Sequence, residues 1–455
     1  MAIHLLVSAS TPNGAFTYLQ YIVTGSGASA TDYANNQYKF ILDIYESGSS
    51  ERLARIKQPP NLNTGSVFNP ADLFQEYAVF DPVWEEPESV LSTGSLKNYT
   101  LQFGEQYGTS PSSSITVYPN LITKDIAIIP AIDNANDAKI GIFDNEIPLE
   151  SEVLTNMPTN TNGTGNQVAD DDWENIQYLE LDDYMTLSSI HTGSVQEVSI
   201  ACYDNNGNNL YDILHTFQSS SNPFEMHHVG VGPKNLLSIG ATTPGISMSL
   251  ALNNPSASYV NIRFDQAGTP QDIRYRLHPN YGSLPQSNTA ENPTLYNKPI
   301  RCAEKTRFAW INEYGVYDYY SVYAPLRKST EIEREQITES RINYWLGDTS
   351  FASIVSQKKE GRGLTDLYKK YKDIYQISTQ YIPEVTANWM KFMFFSPSVY
   401  IQTDNGFVPI IITNSSYRVN TEQASNKLFQ YNIEFVYSNA RRSNNYVGKL
   451  EYDAQ

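Results

Sequence analysis

Two acidic stretches and one histidine pair are the residues here whose types could do chemistry. Asp204-Asn-Asn-Gly-Asn-Asn-Leu-Tyr-Asp212 carries the carboxylates and amides of a calcium loop. A calcium loop of the helix–loop–helix kind puts glycine sixth and glutamate twelfth. Here Gly207 is fourth and no helical pattern flanks it, so the stretch reads as a hairpin turn built on Asn-Gly. Asp170-Asp171-Asp172 with Glu174, or with Asp182-Asp183, offers several carboxylates to a hard cation. Exposed acidic loops need no ion, and a solvated face is the simpler reading. His227 and His228 are adjacent in a strand pattern, which sends their rings to opposite faces and keeps them from sharing one metal.

Phosphate-loop, nucleophile-elbow and zinc-protease motifs do not occur, and Gly163-Thr-Gly165 lacks the third glycine and the preceding strand of a dinucleotide fingerprint. No catalytic, cofactor-binding or metal-binding residue is assigned, and the chain reads as a non-enzyme with no cofactor. Paired carboxylates for glycoside hydrolysis are defined by a separation of ~5–10 Å in space. A glycoside hydrolase or lyase therefore stands as an alternative.

The elements that would position any site are mostly strands. At 455 residues the chain exceeds what one core supports, and two to four domains are expected. Charged residues are only 18%, and uncharged polar residues fill the gap. The 33 tyrosines against 18 phenylalanines suit half-buried sheet faces and subunit contacts. A net charge of −18 repels phosphate backbones, which argues against specific nucleic-acid binding. The acid is unevenly placed: residues 141–190 hold eleven Asp or Glu and no Lys or Arg. Between Phe351 and Tyr375 six basic residues outnumber three acidic ones, an opposition that could steer one copy onto another. With only Cys202 and Cys302, a disulfide framework is excluded as the source of stability. No apolar run approaches the ~18 residues of a membrane span, and the N-terminal segment lacks the basic region of a signal peptide.

Period-two alternation recurs along most of the chain. Tyr38, Phe40, Leu42 and Ile44 line one strand face, and Leu53 to Ile56 returns as a hairpin. Asn69-Pro70 opens a short helix, with Asn as the cap. Hairpins follow at Val198–Phe217, Val260–Leu277 and Phe308–Tyr323, and Val385, Trp389, Phe392 and Met393 form the apolar stripe of a helix near 383–396. Val399 to Ile412 is a further hairpin, in which Pro409 predicts an edge strand or a bulge. Phe429 to Tyr437 alternates as one strand. The expected fold is mainly β: multi-domain antiparallel sandwiches of immunoglobulin or fibronectin type, with a C-terminal β-rich domain carrying a few short helices. The expected division is an N-terminal β-sandwich over 1–138, a middle β domain over 139–295 and an assembly domain over 296–455.

Three stretches resemble a known family. They are Tyr38-Lys-Phe-Ile-Leu-Asp-Ile-Tyr45 with Leu53 to Pro60 and Gly65 to Asn69; Arg307 to Tyr320 with Arg327-Lys-Ser-Thr330 and Ile332-Glu-Arg-Glu335; and Trp389 to Tyr400 with Val408 to Tyr417 and Lys427 to Asn439. Together they are similar to the tail ring, or tail barrel, proteins of crAss-like and related short-tailed phages of Bacteroidetes hosts. The resemblance implies a non-enzymatic virion component, a homo-oligomeric ring around the tail axis that contacts other tail proteins and is assembled in the bacterial host cytoplasm. The aromatic hairpins at Trp310–Tyr323 and Phe429–Tyr437 would supply subunit contacts. The alternative from a different class is a carbohydrate- or receptor-binding sandwich, such as a tail fibre or lectin-like protein.

Overall fold

The computed structural model describes residues 3–9, 11, 13–16, 18–25, 38–61, 65–80, 84–85, 89–92, 94–108, 114–132, 153–155, 157, 177–191, 196–217, 224–239, 247–265, 271–277, 305–338, 364–413 and 428–438. Within them the chain is mainly β, with several multi-stranded sheets and a few short helices. The sheets are antiparallel apart from two parallel pairs, Asn13–Phe16 with Thr116–Ile132 and Tyr178–Leu179 with Gln271–Leu277.

The first third is a sandwich. Its five-stranded sheet runs in the order Asn13–Phe16, Thr116–Ile132, Lys97–Tyr107, Lys39–Glu46, Arg52–Gln58. Against it lies a three-stranded sheet of Ile3–Val7, Tyr21–Gly25 and Gly65–Phe68. Tyr21 and Phe68 close on Phe103 at ring separations of 5.5 and 6.2 Å. Tyr38, Phe40, Leu42 and Ile44 are buried, as their alternation predicts. Asp43, on the opposite face, is buried as well, because Arg55 grips its carboxylate through Nε and Nη2 at 2.5 Å each. The helix Ala71–Tyr77 starts one residue later than Asn69-Pro70 suggests, with Pro70 at the cap position. Asn69 still caps in effect, its Oδ1 accepting from Ala71 N and tying in Leu19 N.

Two larger sheets build the remainder. Five strands run in the order Tyr178–Leu179, Gln271–Leu277, Ala257–Asp265, Gln196–Asp204, Asn209–Phe217. Seven run in the order Tyr317–Tyr323, Lys305–Ile311, Val399–Thr403, Gly406–Ile412, Asn432–Tyr437, Leu364–Ser378, Arg327–Thr338. One apolar core takes residues from both, from Val198, Ile200 and Val260 to Trp310, Trp389 and Phe435. The first sandwich has its own core, and a small third cluster gathers Leu96, Ile129, Leu154, Met226 and Val316 from all parts of the chain. A three-stranded sheet of Thr186–His191, Glu225–Gly230 and Ser89–Leu91 also takes a strand from the first third. The turn at Gly315 packs onto the Pro130 backbone so closely that a Cβ there would lie 2.5 Å from its carbonyl oxygen, and its φ of +77° requires glycine.

Three local expectations need correcting. The helix Glu384–Phe395 buries Thr386, Trp389, Met390 and Met393, while Val385 is exposed. Its buried face is rotated toward Thr386 and Met390, which lets the Trp389 indole reach the hairpin beneath. Pro409 lies in an inner strand, paired with Tyr400 on one side. Its own carbonyl accepts from Ser438 N, one residue past the end of Asn432–Tyr437. In an antiparallel strand a residue's N and C=O point the same way, so the missing N–H falls where the second neighbour has run out. The long strand at Phe429–Tyr437 is broken at Gln430-Tyr431 into Leu428–Phe429 and Asn432–Tyr437. There the Tyr431 backbone leaves one sheet for another through paired bonds with Thr379, while the buried face of Phe429, Tyr431, Ile433 and Phe435 continues unbroken.

Candidate functional site

The residues singled out for chemistry are placed in structural roles. Asp204 closes the hairpin turn, with Oδ1 accepting from Asn206 N and Asn208 N at 2.8 Å. Bonds from the Asn208 side chain and backbone hold its pKa below the ordinary value. Gly207 takes φ +78°, as the turn reading requires. His228 Nδ1 meets Ser188 Oγ at 2.7 Å, and His227 stacks on Phe217 at 4.4 Å beside Glu225. The two rings do not converge. Cys202 is buried, and desolvation pushes its thiol up to about 12, so it behaves as a small apolar side chain. The run 170–174 lies outside the described residues, as does Cys302.

Asp182 and Asp183 are held by a side chain rather than left for an ion. Lys305 Nζ sits 2.9 Å from Glu180, 2.7 Å from Asp182 and 3.0 Å from Asp183. Burial alone would lower the Lys305 pKa, but these carboxylates outweigh it and the net shift is upward. Next to it Arg307, fully buried, donates from Nε and Nη2 to the Tyr184 carbonyl and from Nη1 to Ser321 Oγ. Together they clasp the 180–184 loop onto the edge hairpin of the seven-stranded sheet. Lys305→Met keeps the aliphatic stem and removes the ammonium, leaving the buried Asp183 with Arg307 Nε at 3.8 Å as its nearest cation. The expected loss is about 2 kcal/mol, below the cost of breaking a fully buried pair because Lys305 stays partly solvated. Urea denaturation at pH 7 measures it. Among the described residues, no group of three His, Cys, Asp or Glu is arranged to hold a metal ion, and no helix is long and apolar enough to cross a membrane.

The aromatic hairpin Lys305–Ile311/Tyr317–Tyr323 is also committed inward. Trp310 and Tyr319 are fully buried, and Trp310 lies 4.9 Å from Trp389. Asp318 is buried between them, accepting from Trp389 Nε1 at 2.6 Å and Thr155 Oγ1 at 2.5 Å. Burial raises its pKa to about 6, against the opposing hydrogen bonds from Thr155, Trp389 and Asn312.

What the chain leaves uncovered is elsewhere. Arg327–Thr338 is the outermost strand of the seven-stranded sheet. Its partner Leu364–Ser378 meets the next strand only from Tyr375 to Ser378. Beyond that, from Ser329↔Ile374 to Thr338↔Leu364, the two strands pair only with each other among the described residues. Ten residues at ~3.3 Å each make a ribbon about 33 Å long. Every residue from Arg327 to Gln336 is exposed, Ile332 included. Opposite charges face each other in the register at Glu331↔Lys372, and Lys328 pairs with Asp373 at 2.7 Å. At the ribbon's root a cleft of about 390 Å³ is lined by Arg327, Gln376, Ser378, Asn432 and Glu434. There Gln376 Nε2 donates to Glu434 and Ser378 Oγ to Asn432. The sequence signal for the ribbon was a run of charged and hydroxyl residues with Ile332 as its single apolar member, Arg327-Lys-Ser-Thr-Glu-Ile-Glu-Arg-Glu335, which lacks any apolar face. The clasp and the buried Asp318 left no such signal.

No protein-family model matches this chain, and no curated protein matches it. A search of solved structures returns the crystal structure of squid arrestin at 9% identity, covering 62% of this chain and 95% of that one with a TM-score of 0.14. A likeness at that level carries no argument about fold or function.

Proposed function

We propose that this protein is a non-enzymatic structural component of a phage tail, assembling as a ring around the tail axis and contacting other virion proteins. The observation that carries the reading is the ribbon of Arg327–Thr338 and Leu364–Ser378, two strands wide among the described residues and exposed at every residue from Arg327 to Gln336. A lone two-stranded ribbon is marginally stable in water, so it is completed by another chain. Behind it stands a rigid base, the Trp310, Tyr319 and Trp389 core. The aromatic hairpins therefore serve as foundation, and the polar ribbon as contact surface. A predominantly acidic channel wall would let DNA pass without forming the phosphate contacts that generate affinity. Mass spectrometry of purified particles, with electron cryomicroscopy of the tail, tests the reading. The expected result is this chain in every particle as a closed ring, and its absence from particles removes the proposal.

A second reading, a carbohydrate-binding sandwich, is favoured by one feature. Tyr107 and Tyr118 stack at 5.7 Å and 18° on the first sandwich, with Tyr118 exposed. A glycan array with the full chain and with Tyr118→Ala decides it, since this reading requires binding that the substitution abolishes.

A further inference from the structure

We propose that the ribbon's occupant is the acidic body of a second copy of this chain, gripped head to tail; this rests on the assembly reading above. The two strands Arg327–Thr338 and Leu364–Ser378 hold six basic and five acidic residues, a net of +1 in a chain of net −18, so the rest of the molecule carries −19. Two such bodies repel one another over most of their surface, and an approach led by the ribbon reduces that repulsion. Arg334 and Lys372 are exposed cations along its length.

The ribbon's size fits the task. At about 33 Å by roughly 10 Å, its two faces together offer on the order of 600–700 Å², close to the ~800 Å² each partner contributes to a standard interface. The outer edge is guarded by Glu331, Glu333 and Glu335, a pattern that discourages strand-to-strand addition. Docking therefore uses the faces. Because ribbon and acidic body are different surfaces, the contact is heterologous, the type that closes into rings.

The test compares the full-length protein with Arg334→Glu/Lys372→Glu and the milder Arg334→Gln/Lys372→Gln by sedimentation velocity at 50 and 500 mM salt, with far-UV circular dichroism confirming folding. The wild type is expected to self-associate at low salt and to weaken at least tenfold at high salt. The reversal variant should lose at least tenfold in association, and the neutral variant less. Unchanged association in both folded variants overturns the inference while leaving the assembly reading standing. A wild type that stays monomeric yet occurs in particles also overturns it, since another virion protein is then the occupant. A monomer that is absent from particles overturns the assembly reading itself.

Discussion

Relative to an Asp318→Asn variant, the wild-type protein gains stability as the pH falls from 7.5 to 4. Asp318 is buried, and desolvation raises its pKa from 3.8 to about 6 despite the bonds it accepts from Thr155, Trp389 and Asn312. Glu313, close by, pushes in the same direction as burial. The folded state thus holds this proton more tightly than the unfolded chain does. The resulting stabilisation is complete below pH 3.8 and is lost as the pH rises through 6. At about 1.4 kcal/mol per pH unit, the full swing is on the order of 3 kcal/mol. Asparagine has nearly the same shape; its oxygen can accept from Trp389 Nε1, and its amide can donate to Thr155, whose hydroxyl reverses role. Urea denaturation of both proteins at pH 4, 5, 6 and 7.5 gives the difference directly. Parallel stability curves would mean that Asp318 titrates as it does in the unfolded chain.

The two neighbouring tryptophans, tilted 51° to each other, should respond to the same substitution in different ways. Trp310 is fully buried and its indole N–H has no hydrogen-bond partner among the described residues. Trp310→Ala removes a large ring from the core and should cost about 3–5 kcal/mol. Trp310→Phe loses volume alone and should cost about half of that or less. Trp389→Phe also deletes the bond to Asp318, leaving the carboxylate with one fewer donor. A hydrogen bond to a charged group contributes about 1.5–3 kcal/mol, so Trp389→Phe should be the more damaging phenylalanine variant at pH 7.5. That excess should shrink at pH 4, where Asp318 is protonated. Equal losses for the two phenylalanine variants at both pH values would remove Asp318 from the account.

The strands were legible wherever one face is buried and the other is wet. Val198 to Cys202 and Phe429 to Phe435 alternate in sequence and bury the expected sides, whereas Tyr38 to Ile44 buries Ile41 and Asp43 on its other face as well. Where both faces are covered, alternation disappears and position has to come from partners in space. Asp43 reads as a solvent-facing residue and is buried because Arg55, twelve residues on, neutralises it. Asp183 and Lys305 are 122 residues apart and Asp318 and Trp389 are 71 apart, so neither pairing has a local pattern. Pro409 misled for a related reason: its missing donor is harmless only because the neighbouring strand stops at Tyr437, a fact of the sheet's outline. The ribbon was the reverse case. Its charges announced exposure, but only the sheet order revealed that two strands continue with no third beside them among the described residues.

Hydrogen–deuterium exchange on the ribbon amides, in the isolated chain and in assembled particles, tests the central claim most directly. If another chain completes the ribbon, amides in 329–338 and 364–374 exchange fast in isolation and at least tenfold more slowly after assembly, while those in Lys305–Ile311 are protected in both. Equally fast exchange of the ribbon in the assembled state would contradict the account, because the surface assigned to the contact would still be facing water.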